Sequence, residues 1–386
     1  MDVVRIGLIG YGGMGSNHAG YLFAGDVPGA KLAAVSDSDP SRLEEAERRF
    51  GDSVVRFADA EALIDSGMVD AVMIATPHYL HPPIGIKALE KGLHVLSEKP
   101  VGVYGKQVRE LNEAAAKSTG IFAVMFNQRC RPVHQKLKDL IASGELGEIR
   151  RTNWIITSWF RTQFYYDAGG WRATWEGEGG GVLLNQCPHN LDLWQWVCGM
   201  PTRVRAFCSF GKYHNIEVED DVTAYVEYEN GATGLFVTTT GEAPGTNRLE
   251  ITGDRGKIIL EDGKLEFWRT RESVSAFLRE TQAGFATPEC WRCDVPSGGG
   301  IDQEHKEVTR RWVRAIQGAG ELVAKGEEGM RSLQLSNAML LSAWTDEWVD
   351  IPVDEDLFYE KLQEKIASST VEKKTVGKTM DVDGTF

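Results

Sequence analysis

The sequence predicts an α/β protein in two parts. A doubly wound parallel sheet comes first, followed by an α+β domain on a large, open, mainly antiparallel sheet. Three observations lead there. Over the first third, short apolar runs alternate with helical patterns, as doubly buried strands and their crossover helices do. From about residue 127, longer segments alternate apolar and polar residues, which marks strands with one wet face. The length of 386 residues exceeds a typical single domain. The expected division is a first domain over 1–126, a second over 127–367, and a polar tail or arm over 368–386.

The elements follow in order. Residues 3–9 are apolar except for one arginine and one glycine, and they stop at further glycines, so they read as the first buried strand. A helix-like stretch spans 15–23, a second strand 31–36 and a charged helix 41–50. Residues 71–75, 94–97 and 121–125 complete the parallel set. A helix is expected over 133–143, then strands at 149–159, 203–210, 222–228 and 233–239. Asn230-Gly231 separates the last two, and both residues tolerate the positive φ of a tight hairpin. A further pair, 248–252 and 257–260, turns through Gly253-Asp254-Arg255-Gly256. Helices return over 304–316 and 329–347, and no internal repeat is visible.

The formal net charge is −14, which argues against a surface that tracks the phosphates of nucleic acid. No apolar run approaches the roughly 20 residues of a membrane helix. The N-terminus enters a strand pattern with no signal-peptide features, so a cytoplasmic location is expected. The six cysteines form no regular framework and are expected to be reduced. Cys290 and Cys293 form the sole CxxC pair; with no second pair or nearby histidines, no metal site is expected.

Gly10-Tyr11-Gly12-Gly13-Met14-Gly15 fits G-x-G-x-x-G between a buried strand and a helix, the setting in which that string binds a dinucleotide. Gly10 permits the tight turn, Gly12 lets the backbone approach a pyrophosphate, and Gly15 lets helix and strand pack closely. Asp37 ends the second predicted strand about 20 residues on, where a carboxylate accepts ribose hydroxyls. It would repel a 2′-phosphate, so NAD is favoured over NADP, although neighbouring Ser38 and Arg42 soften that preference.

Three further segments accompany the fingerprint: Ala75-Thr76-Pro77-His78-Tyr79-Leu80-His81, Glu98-Lys99-Pro100, and Gly179-Gly180-Gly181-Val182-Leu183-Leu184-Asn185-Gln186-Cys187-Pro188-His189. With them the chain resembles the glucose–fructose oxidoreductase / inositol dehydrogenase / MocA (Gfo/Idh/MocA) family over nearly its whole length. Gln303-Glu304-His305 and residues 326–344 fit the same pattern. The resemblance implies a Rossmann domain joined to an open-sheet domain that commonly makes a homodimer or homotetramer. It implies NAD(P)-dependent hydride transfer to or from a secondary hydroxyl of a sugar, glycoside or cyclic polyol.

By resemblance, Lys99 polarises the reacting hydroxyl and His189 moves its proton. Asn185 departs from the family, which mostly carries Asp four residues before the histidine. It shares a helical face with His189 and supplies no charge. Asp192, one turn further on, is placed to orient His189 or to serve the fold. The resemblance assigns Ala75, Thr76, Pro77, His81, Glu98, Asn127, Trp171 and Arg172 to the cofactor, beside Gly10 to Gly15, Asp37 and Ser38. It assigns Arg129, Arg131, Arg161, Tyr165 and His305, with Lys99, Asn185 and His189, to the sugar. Arginines there suit an anionic or sulfonated sugar. Trp159, Trp171 and Trp175 suit stacking on sugar C–H faces, whereas Trp194 and Trp196 look like helix core.

Two rival activities share these residues. One is an NAD-dependent glycoside hydrolase or lyase that oxidises, eliminates, adds water and re-reduces. The other is a cofactor-sensing regulator without chemistry.

Overall fold

The structure is a computed structural model and describes residues 3–298 and 303–371. Lys373-Lys374 and the rest of the expected tail lie outside the described residues.

The first sheet is built from β1 (Val4–Ile9), β2 (Ala30–Ser36), β3 (Val55–Phe57), β4 (Ala71–Ile74), β5 (His94–Ser97) and β6 (Phe122–Val124). All its pairs are parallel and the strand order is 3-2-1-4-5-6. The connecting helices are α1 (Gly13–Phe23), α2 (Pro40–Phe50), α3 (Ala60–Asp65), α4 (His81–Glu90) and α5 (Gly105–Lys117). This is the order of a dinucleotide-binding Rossmann fold, whose ligand lies where the strand order reverses, beyond the carboxyl ends of the strands. Val4, Ile6, Leu8, Ala71, Val72 and Met73 are fully buried, which explains why these strands read as apolar runs rather than alternations.

The chain continues through α6 (Pro132–Ala142), β7 (Ile149–Ile156), α7 (Gln163–Asp167) and α8 (Pro188–Cys198). Next come β8 (Arg203–Phe210), β9 (Glu219–Glu227), β10 (Thr233–Thr239), β11 (Asn247–Gly253), β12 (Gly256–Glu261) and β13 (Lys264–Thr270). The remainder is α9 (Val274–Glu280), β14 (Cys290–Asp294), α10 (Glu304–Ile316), α11 (Gly329–Thr345), β15 (Val349–Asp350) and α12 (Glu355–Ala367). The second sheet has nine strands in the order β14-β13-β12-β11-β7-β10-β9-β8-β15. It is mainly antiparallel, as expected, with one parallel pair, β7 against β10. Cys290 and Cys293 sit on its edge strand β14, three positions apart and so on opposite faces.

Two features tie the halves together. Helix α8 lies under the second sheet, with Trp194 stacked on Phe236 of β10 at 5.4 Å. Helix α10 returns to the first sheet: Val308, Trp312 and Val313 share a buried cluster with Ile6, Leu8 and Leu22. The glycine turn after β1, the end of β5 and the start of α8 are thereby held in one region.

Candidate active site

A cleft of about 530 Å³ runs along the carboxyl edge of the first sheet, from Asp37 past the glycine turn to Lys99, Asn185 and His305. Its two ends are chemically different.

At the nucleotide end each glycine has its own physical reason. Gly10 has φ +92°, and a Cβ there would lie 2.7 Å from the Ala75 carbonyl oxygen. A Cβ on Gly15 would lie 1.9 Å from the Gly10 carbonyl oxygen. A Cβ on Gly12 would meet nothing within 4 Å, so its face is open toward the cleft. No side chain caps α1, which leaves its first N–H groups available to a phosphate. Asp37 accepts from the Tyr11 and Asp39 N–H groups at 2.7 and 2.9 Å, and the turn is thereby locked to the end of β2. Gly10, Gly12, Gly13, Met14, Asp37, Ser38, Ala75, Thr76, Pro77 and His81 line the cleft. Tyr11 and Gly15 lie behind it, Tyr11 with its ring fully buried. His81 places its ring nitrogens 2.7 Å from the carbonyls of Pro100 and Thr76 and so buttresses the loops. Thr76 Oγ1 is buried with no partner. An open glycine face, uncapped N–H groups, a carboxylate at the end of β2 and an orphaned hydroxyl fit a bound dinucleotide.

The two glycines predict different signatures. Gly12→Ala is expected to keep the thermal midpoint but weaken NADH binding by about tenfold or more, because the methyl occupies the pyrophosphate's approach. Gly15→Ala is expected to lose both, since its Cβ meets backbone. NADH fluorescence titration and thermal melts read the two effects. Unchanged affinity in Gly12→Ala would remove the phosphates from this turn.

At the inner end, Lys99 follows β5 and donates from Nζ to the Asn185 carbonyl at 3.0 Å. Burial lowers its pKa, and the nearby charges of Arg172 and Arg161 lower it further. Its own N–H donates to Glu98, whose carboxylate also pairs with His18 at 2.7 Å. That pairing overrides burial and brings Glu98 to about 2, so it stays ionised. His18 in turn meets Tyr21, whose hydroxyl meets Thr309 of α10.

His189 occupies the first turn of α8, after Pro188 at N1. It packs against Phe126 at 6.3 Å. Burial, then the Lys99 charge, holds its pKa well below 6.5, and Nδ1 is buried with no partner. A neutral imidazole of this kind is ready to accept a proton. His305 lines the cleft with its ring 5.7 Å from His18, and its pKa is lowered by burial to about 4.

Arg172 donates to the Tyr165 hydroxyl at 3.0 Å and packs on Trp171. Arg161 lies over Tyr165 and Trp159. Arg161 Nε is buried with no partner.

The structure corrects several expectations. Arg129 does not reach the cleft; it is buried and forked onto Asp192 at 2.6 and 2.8 Å, with Glu328 on its remaining nitrogen. Asp192 is consumed by that pair and does not orient His189. Asn127 and Arg131 share the carboxylate of Glu304. Trp175 is buried against Trp344 and Phe210, so no sugar face reaches it. Trp194 is core as expected, whereas Trp196 is half-buried under the cations Arg129 and Lys138.

Sequence reasoning did not select Glu178, His78 or His18. His78 lines the cleft, and its ring stands edge-on to Trp171 at 4.9 Å. Glu178 is 1% exposed and touches Asn185 and Ala173. No periodicity or motif marks a lone glutamate before a glycine run.

The N-terminal third is thus an NAD-binding Rossmann domain, and its cleft ends on an ionisable cluster contributed partly by the rest of the chain. That arrangement defines an NAD-dependent oxidoreductase. Residues 4–126 match the oxidoreductase family with the NAD-binding Rossmann fold, and residues 134–259 match the GFO/IDH/MocA C-terminal domain. The chain belongs to the Gfo/Idh/MocA oxidoreductase family. It is 26% identical to the levoglucosan dehydrogenase of Pseudarthrobacter phenanthrenivorans, over 91% of this chain and 99% of that one. It is 28% identical to the scyllo-inositol 2-dehydrogenase (NAD(+)) of Bacillus subtilis, over 67% and 73%. The WlbA dehydrogenase of Chromobacterium violaceum, solved with NADH and UDP-GlcNAcA, superposes with a TM-score of 0.78 at 30% identity, covering 92% and 97%. No helix among the described residues is long and apolar enough to cross a membrane.

Proposed function

We propose that the protein oxidises, reversibly, one secondary hydroxyl of a sugar or glycoside. The observation that carries this reading is the neighbourhood of Lys99, which lines the inner end of the cleft. A neutral, buried His189 lies within the field of the Lys99 ammonium, which is itself tethered to the Asn185 carbonyl. His189 accepts the hydroxyl proton. Lys99 stabilises the negative charge that grows on the oxygen in a water-poor site. NAD, when bound, supplies the hydride acceptor. Glu98 holds the Lys99 backbone, and Asn185 contacts the substrate beside the reacting carbon. Levoglucosan and UDP-GlcNAcA, named with two of the relatives, support a saccharide as substrate class. The cations Arg161 and Arg172 favour a sugar that carries an anionic group.

We divide the chain at residue 126 into cofactor and substrate domains, with a tail from 368. We place an oligomer contact on the outer face of the second sheet, where Ile155, Phe207 and Leu235 are 40%, 62% and 41% exposed. We assign the protein to the cytoplasm.

The test is an assay of purified protein with NAD and a panel of neutral and anionic sugars and glycosides, following NADH absorbance and released aglycone together. Stoichiometric NADH with the glycoside intact is expected. Aglycone release that requires NAD but accumulates no NADH would replace this reading with redox-assisted glycoside cleavage. Tight NAD binding with no turnover would favour a sensor.

A further inference from the structure

We propose that Glu178 is the positioning residue that decides which end of the Asn185 amide meets the substrate, and that it makes Asn185 a hydrogen-bond acceptor. The proposal rests on the sugar-oxidoreductase reading above and concerns the same site.

Glu178 precedes the glycine run and is 1% exposed. One carboxylate oxygen accepts from Asn185 Nδ2. The other accepts from the Ala173 N–H at 2.6 Å. A carboxylate has no proton to give, so the amide must turn its NH2 toward Glu178 and its oxygen away. The far side of the amide agrees. The Tyr165 hydroxyl accepts from Arg172 and from Gln186, both at 3.0 Å, which uses its two lone pairs. Its proton is then left to donate toward Asn185 Oδ1, at 3.4 Å. Arg172 closes the ring, 3.9 Å from Glu178.

The same carboxylate holds the neighbouring wall of the cleft. Ala173 adopts φ +64°, a left-handed conformation uncommon for a residue with a Cβ, and Glu178 holds its N–H. Trp171 and Arg172, which line the cleft, lead directly into it. The Glu178 carbonyl faces His78 Nδ1 at 3.4 Å. Asn185, Arg172 and, through Ala173, the Trp171 turn therefore depend on one buried side chain, while His78 meets the backbone of the same residue. Its charge remains behind the amide, and the substrate meets a neutral oxygen.

A charge-swap cycle tests this. Glu178→Gln gives position 178 a donor and frees the amide to reverse; kcat is expected to fall about tenfold to a hundredfold, in line with a lost charge-assisted bond, with NADH affinity unchanged. Asn185→Asp sets two carboxylates against each other and is expected to lose comparable activity. The double variant E178Q/N185D restores a donor at 178 and an acceptor at 185. It is expected to recover to within about tenfold of the parent, which a merely structural role would not produce. A second readout needs no substrate. In protein labelled with 15N-asparagine, the Asn185 side-chain amide, identified by its absence in Asn185→Ala, should be shifted downfield and slow to exchange.

A parent spectrum with a solvent-like Asn185 amide would overturn the proposal, even if Glu178→Gln fails to fold. So would a folded double variant no more active than either single one. If the parent turns over no sugar at all, the oxidoreductase reading fails, and the amide spectrum still decides the role of Glu178.

Discussion

Replacing His189 by Ala is expected to lower kcat by about 10²–10⁴-fold, the usual contribution of a positioned general base. NADH affinity should stay within about twofold, because His189 is not among the residues that line the cleft, whereas the glycine turn, Asp37 and the start of α1 line its nucleotide end. The pH profile gives the sign of the effect. Burial lowers the His189 pKa below 6.5, so the basic form persists into mildly acidic solution. The acid limb of kcat/KM in the oxidising direction should therefore lie below pH 6.5 and vanish in His189→Ala. The Lys99 pKa is lowered from 10.5, again by burial, so loss of its ammonium should bring the alkaline limb in below pH 10.5. Stopped-flow NADH absorbance across pH reads both limbs. A His189→Ala enzyme within about tenfold of the parent would move the base to another residue, with His305 the next to test.

The largest expected loss of stability comes from Asp192→Asn. Arg129 and Asp192 are 3% and 1% exposed on their side chains and are joined by two hydrogen bonds. Burial alone pushes the Asp192 carboxyl up, and the guanidinium pulls it back toward the ionised form. Removing one partner leaves a buried charge under-compensated, at a cost of about 3–5 kcal/mol. Urea denaturation should show a lower midpoint with little change in slope. The triple variant Arg129→Met, Asp192→Leu, Glu328→Gln should recover most of the loss, because apolar side chains of similar volume avoid the desolvation term. A change below about 1 kcal/mol in Asp192→Asn would mean that water reaches the pair.

These two predictions concern residues one turn apart on α8, yet only His189 could be assigned a place in advance. Its motif, the glycine run that precedes it, and Pro188 at the start of the helix are all local signals. The fate of Asp192 is not local, because its partner Arg129 lies 63 residues earlier on another element. The same distinction separates Trp194, recognisable as core from its helical setting, from Trp175, whose aromatic neighbours come from residues 210 and 344.

The sequence by itself determined the parallel fold of the N-terminal third, the glycine turn, the carboxylate at the end of β2, the hairpin at Asn230-Gly231 and the positions of Lys99 and His189 in the chain. Each depends on neighbours within a few residues: apolar runs, special backbone angles or a contiguous motif. Only the tertiary structure decided which arginines reach the cleft, that α10 returns to the first sheet, that β7 and β10 pair in parallel, and that Glu178 stands behind Asn185. Those outcomes depend on contacts between residues far apart in the chain. There the desolvation of a charge or the orientation of an amide is settled by what packs against it, and no local pattern records that.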